Sequence, residues 1–409
     1  MNYTNFKTNN KIIGSIIKFN RLSQNLNQKT LSKGICVPSY LSRIENGDLI
    51  PSEELLSVIF NRLGLTFNDS EDFLCSGSEL FTLFFNKLYN NEFEYTDKIF
   101  NEIEKDEKAY MTSPLILDYL LVKLARFCAT DVRDKFEPCK SMIESSIDLL
   151  SPIQKYRFYF YSGVDTLSLS HDKTQGKEFI EQALRCKETG HCYFWLSYAY
   201  RTENNAIKAY ECISKALTLY VAEGNIISVM DTYEKFAEVY YLLDNYQDAI
   251  LYLNMSLNIA SKFNNINFIE HLNSLLAWTY YRLKDYEKSL NYLKLNKGIM
   301  DHRMRIPDNL IYCLIYFENN DRIKLGNTLS KLYNPECLQQ INKPLMDSIT
   351  NLFTYYIEST DFIKTSQWEF LIIDIINNLS TFVELEKVFK DLLKDYYIQN
   401  RRYKDALYL

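Results

Sequence analysis

The stretch LSKGICVPSYLSRIENG, residues 31–47, decides the fold of the N-terminal part of the chain. In its second half, the large apolar residues recur at i, i+4 and i+7, which is one face of a helix. Pro38 suits the first position of that helix, where a missing N–H costs nothing. Asn46 and Gly47 tolerate the left-handed backbone that ends a helix. The stretch therefore predicts a helix of about two turns over residues 38–45.

Neighbouring segments extend this helix into a small domain. Residues 28–33 predict another short helix, and residues 34–37 form the tight turn between the two. An apolar helix over residues 12–22 precedes them, and a fourth helix follows over residues 52–64. Two short helices joined by such a turn form a helix-turn-helix, whose second helix is of the kind that enters a DNA major groove.

Residues 11–66 resemble the DNA-binding domain of the Xre/Cro family. The form LSKGIC followed by SYLSRIENG, with its shortened turn, is similar to the RRNPP peptide-pheromone receptors of Gram-positive bacteria. The resemblance implies that base edges or nearby phosphates are contacted by Pro38, Ser39, Tyr40 and Arg43. It implies that phosphates at the helix ends are bound by Gln28 and Asn46. The alternative is a helix-turn-helix that is kept for protein contacts alone.

The composition indicates a large, reduced, helical protein. The chain has 409 residues, of which 47% are hydrophobic and 15% aromatic, with only 11 Gly and 8 Pro. It contains no run of 18 apolar residues, and its N-terminus lacks the apolar segment of a signal peptide. The nine cysteines include no C-x-x-C pair. We therefore expect a cytoplasmic protein with free thiols and no membrane association.

Charge is divided unequally along the chain. Residues 1–67 hold five Lys and three Arg against four acidic residues, which is a net charge of +4. Because the whole chain has a net charge of −6, the remainder carries −10. A basic head on an acidic body is typical of a DNA-binding domain joined to a module that does not bind DNA.

The body is built from repeats. Three blocks of 40 residues align without gaps, namely 190–229, 230–269 and 270–309. The coinciding positions include a tyrosine late in the first half and a small residue early in the second: Tyr200, Tyr240 and Tyr280, then Ala209, Ala249 and Ser289. This is the tetratricopeptide (TPR) pattern of paired helices, which stack into a right-handed α-solenoid with a concave surface.

The repeat frame places the second, fifth, ninth and twelfth residues of each block on the concave side. We call the residues chosen there the inner-face residues: Phe194, Tyr198, Arg201, Glu234, Glu238, Tyr241, Ser274, Trp278 and Tyr281. Rings and a few charges suit a short extended peptide, whose basic group would pair with the glutamates and whose carboxylate would pair with the arginine. The alternative is that the tyrosines lie at a hydrated surface without a ligand.

Two asparagines replace tyrosines at the fourth place of the later repeats, Asn273 and Asn309. An asparagine amide can pair with a peptide backbone because it has both a donor and an acceptor. RRNPP receptors use inner-face asparagines in this way, so the resemblance makes both residues candidates. A solvated asparagine or a local helix bend is the alternative.

Motifs for catalysis and cofactors are missing from the sequence. There is no G-x-x-x-x-G-K, G-x-G-x-x-G or G-x-S-x-G, and none of the four histidines has a metal-ligand partner at helical spacing. We expect no metal, no cofactor and no enzymatic activity.

These observations predict an all-α chain with three parts: a helix-turn-helix domain over 1–66, a linker over 67–79 and a TPR-like domain over 80–409. The resemblance implies a homodimeric transcription regulator that binds a double-stranded DNA operator and is controlled by a short signalling peptide. Two alternatives are an adaptor that sequesters a protein such as a response regulator, and a prophage regulator of the arbitrium kind. The Xre-type head argues against the adaptor, because adaptors of the Rap kind lack it.

Overall fold

The computed structural model describes residues 10–169, 173–296, 307–332, 343–360, 363, 365–379 and 383–409. All regular elements in these ranges are helices, which confirms the predicted all-α class. The chain forms two compact units, residues 1–228 and 229–409. Residues 1–9 of the predicted head and 297–306 of the third predicted repeat lie outside the described residues.

The first unit contains the head and the early helix pairs. Its helices are α1 (Asn10–Ser23), α2 (Gln28–Ser32), α3 (Pro38–Glu45), α4 (Glu53–Leu63), α5 (Glu71–Tyr89), α6 (Phe93–Glu104), α7 (Glu107–Tyr110), α8 (Ile116–Thr130), α9 (Arg133–Glu144), α10 (Pro152–Leu169), α11 (Lys173–Cys186), α12 (Gly190–Thr202) and α13 (Ala206–Glu223), with a short 3-10 helix at Ile147–Leu149.

The second unit begins inside the first turn of α14. Its helices are α14 (Ile226–Leu242), α15 (Tyr246–Lys262), α16 (Ile266–Arg282), α17 (Tyr286–Leu295), α18 (Asp308–Glu318), α19 (Arg322–Leu332), α20 (Lys343–Glu358), α21 (Ser366–Asn378), α22 (Val383–Gln399) and α23 (Tyr403–Leu407).

Local signals fix the helices of the head. Asn27 caps α2, and its side chain accepts a hydrogen bond from a backbone N–H of the first turn. Pro38 is the first residue of α3, as predicted. Ser52 caps α4, which ends at Gly64 in the left-handed conformation, with a φ of 66°. The predicted helix-turn-helix and its flanking helices therefore form where the sequence indicated.

The head shares a hydrophobic cluster with the first helix pairs. That cluster runs from Ile13 in α1 to Phe158 in α10. A polar contact joins the same parts, since the Asn20 side-chain amide donates to the Met111 carbonyl at 2.9 Å. Residues 71–79, which the sequence assigned to a linker, form the first half of α5 and bury Leu74. They are helical because the Leu74 side of α5 finds apolar partners in this cluster.

In each repeat, the turn between the two helices uses the same two positions. The residue before the cap has a left-handed φ at Asn204 (55°), Asp244 (52°) and Lys284 (61°). The next residue caps the second helix with a side-chain oxygen, and these caps are Asn205, Asn245 and Asp285. The 40-residue register of the sequence is therefore also the register of the three helix pairs α12–α13, α14–α15 and α16–α17.

Small residues lie where the two helices of a pair cross. In the first of these pairs the Ser197 hydroxyl donates to the Ala209 carbonyl at 2.8 Å. In the third pair the direction is reversed, because the Ser289 hydroxyl donates to the Ala277 carbonyl at 2.7 Å. A hydroxyl can reach the opposite backbone only because the two helices approach closely. The small residues of the repeat pattern therefore set the distance between the paired helices.

We predict that Ala249→Leu lowers the free energy of unfolding by about 1–3 kcal/mol, because Ala249 is fully buried and a larger side chain would push α15 away from α14. Leu251 on the same helix is 55% exposed, so the control Leu251→Ala should change that free energy by less than about 0.5 kcal/mol. Guanidinium denaturation followed by circular dichroism measures both. Equal stability of Ala249→Leu and the wild type would contradict the assignment of this crossing.

Candidate functional site

The outward side of α3 is available for contact. Pro38, Ser39, Arg43 and Asn46 are exposed and Tyr40 is half-buried, while the opposite side of the helix packs into the head. The short loop before α3 also exposes Val37. The residues of α3 predicted to contact bases, together with the predicted phosphate contact Asn46, therefore share one accessible surface. We call it the recognition surface: Pro38, Ser39, Tyr40, Arg43 and Asn46.

A buried ion pair holds this surface in place. Arg21 of α1 donates from Nε and Nη2 to the two carboxylate oxygens of Glu45 in α3, at 2.6 and 2.8 Å. The amide nitrogen of Gln28 in α2 donates to the same carboxylate at 2.8 Å. Only one amide hydrogen of Gln28 is therefore available for its predicted phosphate contact, since the other is donated to Glu45. This network ties α1, α2 and α3 together behind the recognition surface.

The inner-face residues of the first unit lie on α12. Phe194 and Tyr198 are half-buried, and the Trp195 ring contacts both of them edge-on. Arg201 is buried, with its guanidinium 5.2 Å from the centroid of the Tyr198 ring. The arginine that the sequence assigned to a ligand carboxylate therefore already packs against its own helix.

The two inner-face glutamates of the second unit are buried with a cation. Lys235 Nζ donates to Glu234 at 2.9 Å and to Glu238 at 3.0 Å. The Nε2 atom of His271 lies 3.3 Å from Glu234. Burial alone would raise the pKa of Glu234, but Lys235 and His271 together hold it well below its usual range. A ligand cation at these carboxylates would therefore have to share them with Lys235.

The aromatic inner-face residues of the second unit form part of its packing. Trp278 and Tyr281 are buried with ring centroids 5.5 Å apart. The Tyr241 hydroxyl lies 2.7 Å from Thr279 Oγ1. These rings are less accessible than the repeat frame predicted, because neighbouring helices cover them.

The two candidate asparagines have protein partners. The Asn273 amide donates to Asn296 Oδ1 at 3.1 Å, while Asn309 donates to the Lys331 carbonyl at 3.1 Å. The hydroxyl of Ser274 donates to Asp308 at 2.6 Å. Each of these donors would have to exchange its partner in order to hold a peptide backbone.

A cavity in the first unit escaped the sequence analysis. Its volume is about 380 Å³, and α5, α10 and α12 provide most of its walls. The rings that line it include Phe85, Tyr89, Tyr156, Phe160, Tyr161, His191 and Trp195. The run YRFYFY at residues 156–161 is the signal that a closer reading would have noticed, because so dense an aromatic helix exceeds what one buried face requires.

Within the described residues we looked for metal-binding clusters and for membrane-spanning helices. No group of three or more His, Cys, Asp or Glu side chains among them is arranged to hold a metal ion. None of the helices formed by them combines the length and apolarity needed to cross a membrane.

Comparison with known proteins gives matches in both parts of the chain. A helix-turn-helix family model matches residues 17–69. The transcriptional activator NprA of Geobacillus stearothermophilus is 22% identical over 395 residues, which cover 92% of this chain and 91% of the activator. The apo form of the quorum sensor NprR from B. thuringiensis has a TM-score of 0.63 at 13% identity, over 80% of this chain and 95% of NprR. NprR in complex with its cognate peptide NprX has a TM-score of 0.59 at 14% identity, over 82% and 98%.

The helix-turn-helix and the TPR-like helix pairs define the class of protein, a DNA-binding transcription regulator rather than an enzyme. Within that class, the chain is similar along most of its length to the transcriptional activator NprA and shares its fold with the quorum sensor NprR, in agreement with the resemblance that the motifs of residues 31–47 predicted.

The cavity residue His191 should make stability depend on pH. Burial lowers the pKa of His191 to about 3, and its Nδ1 lies 2.9 Å from the Tyr220 hydroxyl. The unfolded chain binds a proton at this residue below about pH 6.5, whereas the folded chain does not until about pH 3. In that window, His191 should lower the free energy of unfolding by about 1.4 kcal/mol for each unit that the pH falls.

The measurement compares the wild type with His191→Gln by denaturant unfolding between pH 7 and pH 4. We expect the wild type to lose stability faster than the variant as the pH falls, so that the difference between them narrows or reverses. Parallel pH profiles would show that His191 titrates normally in the folded protein.

Proposed function

We propose that the protein is a homodimeric, cytoplasmic transcription regulator that binds a DNA operator through α3 and is controlled by a short signalling peptide bound to its TPR-like repeats. The observation that carries the proposal is the recognition surface, whose polar residues are exposed while Arg21 and Glu45 fix the helix from behind.

On DNA, the roles follow from the position of each side chain. Arg43 projects from the exposed side of α3, where a guanidinium can bind guanine or phosphate through paired donors. Pro38, Ser39 and Tyr40 lie at the N-terminal end of the helix, the end that meets base edges in helix-turn-helix proteins. Asn46 is exposed at the other end and suits a phosphate contact. In a homodimer, two such helices would contact half-sites separated by about one helical turn of DNA, or a multiple of it.

For the peptide, the inner-face residues remain the candidates. NprR is known in complex with its cognate peptide, and this chain shares its fold. A basic side chain or amino terminus would bind beside Glu234 and Glu238, two buried carboxylates that Lys235 bridges. Phe194 and Tyr198 offer half-buried rings to apolar side chains. We infer that Asn273 and Asn309 act only if the peptide replaces their present partners.

A signal from the repeats can reach the head through the contacts between them. The hydrophobic cluster is continuous from α1 to α10, and Lys18 in α1 donates to the Ser145 carbonyl at the end of α9 at 3.3 Å. A peptide that favours one packing of the early helix pairs would therefore also shift the position of the recognition surface. Such coupling requires only that the peptide bind two arrangements with different affinities.

The first experiment is native mass spectrometry of the protein purified from its own host. A dimer that carries an additional mass of a short peptide, sequenced by fragmentation, would support the proposal. A larger adduct that proves to be a folded protein would instead support the adaptor alternative. A dimer without any adduct, even after addition of host culture supernatant, would count against peptide control.

The DNA-binding part makes a separate prediction. Arg43→Ala should weaken binding by about 1–3 kcal/mol, because it removes a charged donor from the recognition surface. The DNA is the duplex that the wild type selects from a random library, and fluorescence anisotropy at fixed salt measures its affinity. Arg133→Ala on α9 is the control, since that side chain is similarly exposed and lies away from α3. Unchanged affinity of Arg43→Ala would show that α3 is not the recognition helix.

A further inference from the structure

Arg157 in α10 is a half-buried cation whose hydrogen-bond donors are not used by any described residue. Its side chain is 16% exposed, and its guanidinium lies 3.7 Å from the centroid of the Phe85 ring. The nearest charge is Asp118, at 3.5 Å from Nη1. No described residue accepts a hydrogen bond from Arg157, although a guanidinium has five N–H donors. These donors are therefore available to a ligand that carries an acceptor.

This guanidinium forms part of the wall of the 380 Å³ cavity. The rest of the wall is largely aromatic, with Phe85, Phe160 and Trp195 among the rings. Asp118 does not fill the role of a ligand, because its carboxylate accepts from the Gln154 amide at 2.8 Å while staying at the edge of hydrogen-bond range of Arg157. Burial lowers the pKa of Arg157.

The other charges at the cavity do not compete for Arg157. The carboxylate of Glu223 accepts a hydrogen bond from the Tyr89 hydroxyl at 2.6 Å, and that of Glu188 accepts one from the Tyr193 hydroxyl at 2.7 Å. A second cation, Lys187, also lines the cavity. The site therefore offers a planar donor fork among aromatic rings, which matches a carboxylate attached to a bulky apolar group.

We propose that this cavity binds the C-terminal residue of the signalling peptide, with its carboxylate on the Arg157 guanidinium and its apolar side chain among Phe85, Phe160 and Trp195. The inference rests on the proposed peptide control. The cavity volume admits one or two residues rather than a whole peptide. The last residue of a peptide suits such a space because no further chain has to pass out of the cavity. Arg201, which the sequence analysis assigned to a carboxylate, is packed against Tyr198 instead.

A minimal test uses a single tryptophan as the reporter. The chain has three tryptophans, and Trp195 lines the cavity, so Trp278→Phe with Trp368→Phe leaves only the reporter. The probes are N-acetyl-L-phenylalanine, which resembles a peptide C-terminus, and its amide, which lacks only the charge. We expect the acid to change Trp195 fluorescence and to bind at least about tenfold more tightly than the amide. Calorimetry with the unmodified protein repeats the comparison without the tryptophan changes.

Variants then assign the preference to Arg157. The double variant Arg157→Gln with Asp118→Asn removes both charges, so neither is left buried and unpaired. It should bind the acid no better than the amide, while Arg157→Lys should retain part of the preference. Arg133→Gln on α9 should leave the preference intact. Equal binding of acid and amide by the wild type, binding of neither, or an unchanged preference in the double variant would each overturn the assignment.

Two further comparisons distinguish this proposal from binding of a free organic acid and from peptide binding elsewhere on the protein. If phenylacetate, which lacks the peptide group, binds as tightly as N-acetyl-L-phenylalanine, a free organic acid is the ligand and the peptide assignment is wrong. If a peptide is captured from the host but its amidated synthetic copy binds equally well, peptide control stands and this cavity does not hold the C-terminus. Absence of any captured peptide would reject peptide control, while the acid and amide probes would still report on the cavity.

Discussion

The close approach of the two helices in each pair is the contact on which the rest of the structure depends. At this crossing the residues present are small: Gly163 and Gly176, Ser197 and Ala209, Ala237 and Ala249, and Ala277 and Ser289. A Cβ added to Gly163 would lie 2.6 Å from Ile180 Cδ1, well inside van der Waals contact. Since the short distance is set here, larger residues such as Leu253 can fill the spaces on either side.

Buried charges provide a second level of constraint, and they differ in how completely they are satisfied. Arg21 and Glu45 form a two-bond pair that Gln28 completes, so this network serves to orient the head. Glu234 and Glu238 both pair with Lys235, at 2.9 and 3.0 Å. Arg157 is the least satisfied of these groups, because its carboxylate neighbour stays at 3.5 Å. A ligand is therefore expected to bind most favourably where a charged side chain is incompletely hydrogen-bonded, because the ligand then displaces no protein partner.

The head and the first helix pairs have no independent interiors, and this affects how a regulator of this kind can work. The apolar surface of α1 packs into the same cluster as α5 and α8, so the head cannot rotate freely on a flexible tether. Asn20 and Lys18 add directional hydrogen bonds to Met111 and Ser145. A rearrangement among the early helices would be carried to α3 as a displacement of a rigid body, which is a direct route for control of DNA binding.

The sequence by itself determined the features that depend on neighbouring residues. The ends of α4 at Ser52 and Gly64 and the 40-residue register could be predicted, because a cap or a repeat position needs only a few residues along the chain. The tertiary structure alone decided which distant surfaces meet. Tyr89 stacks on His191 with centroids 4.1 Å apart, and the cavity beside them joins α5 to α10 and α12, helices whose contact no local pattern encodes. Likewise, the resemblance made Asn273 a candidate for binding a peptide backbone, but its amide pairs with Asn296 in the fold, since side-chain partners depend on packing across helices and not on position within one.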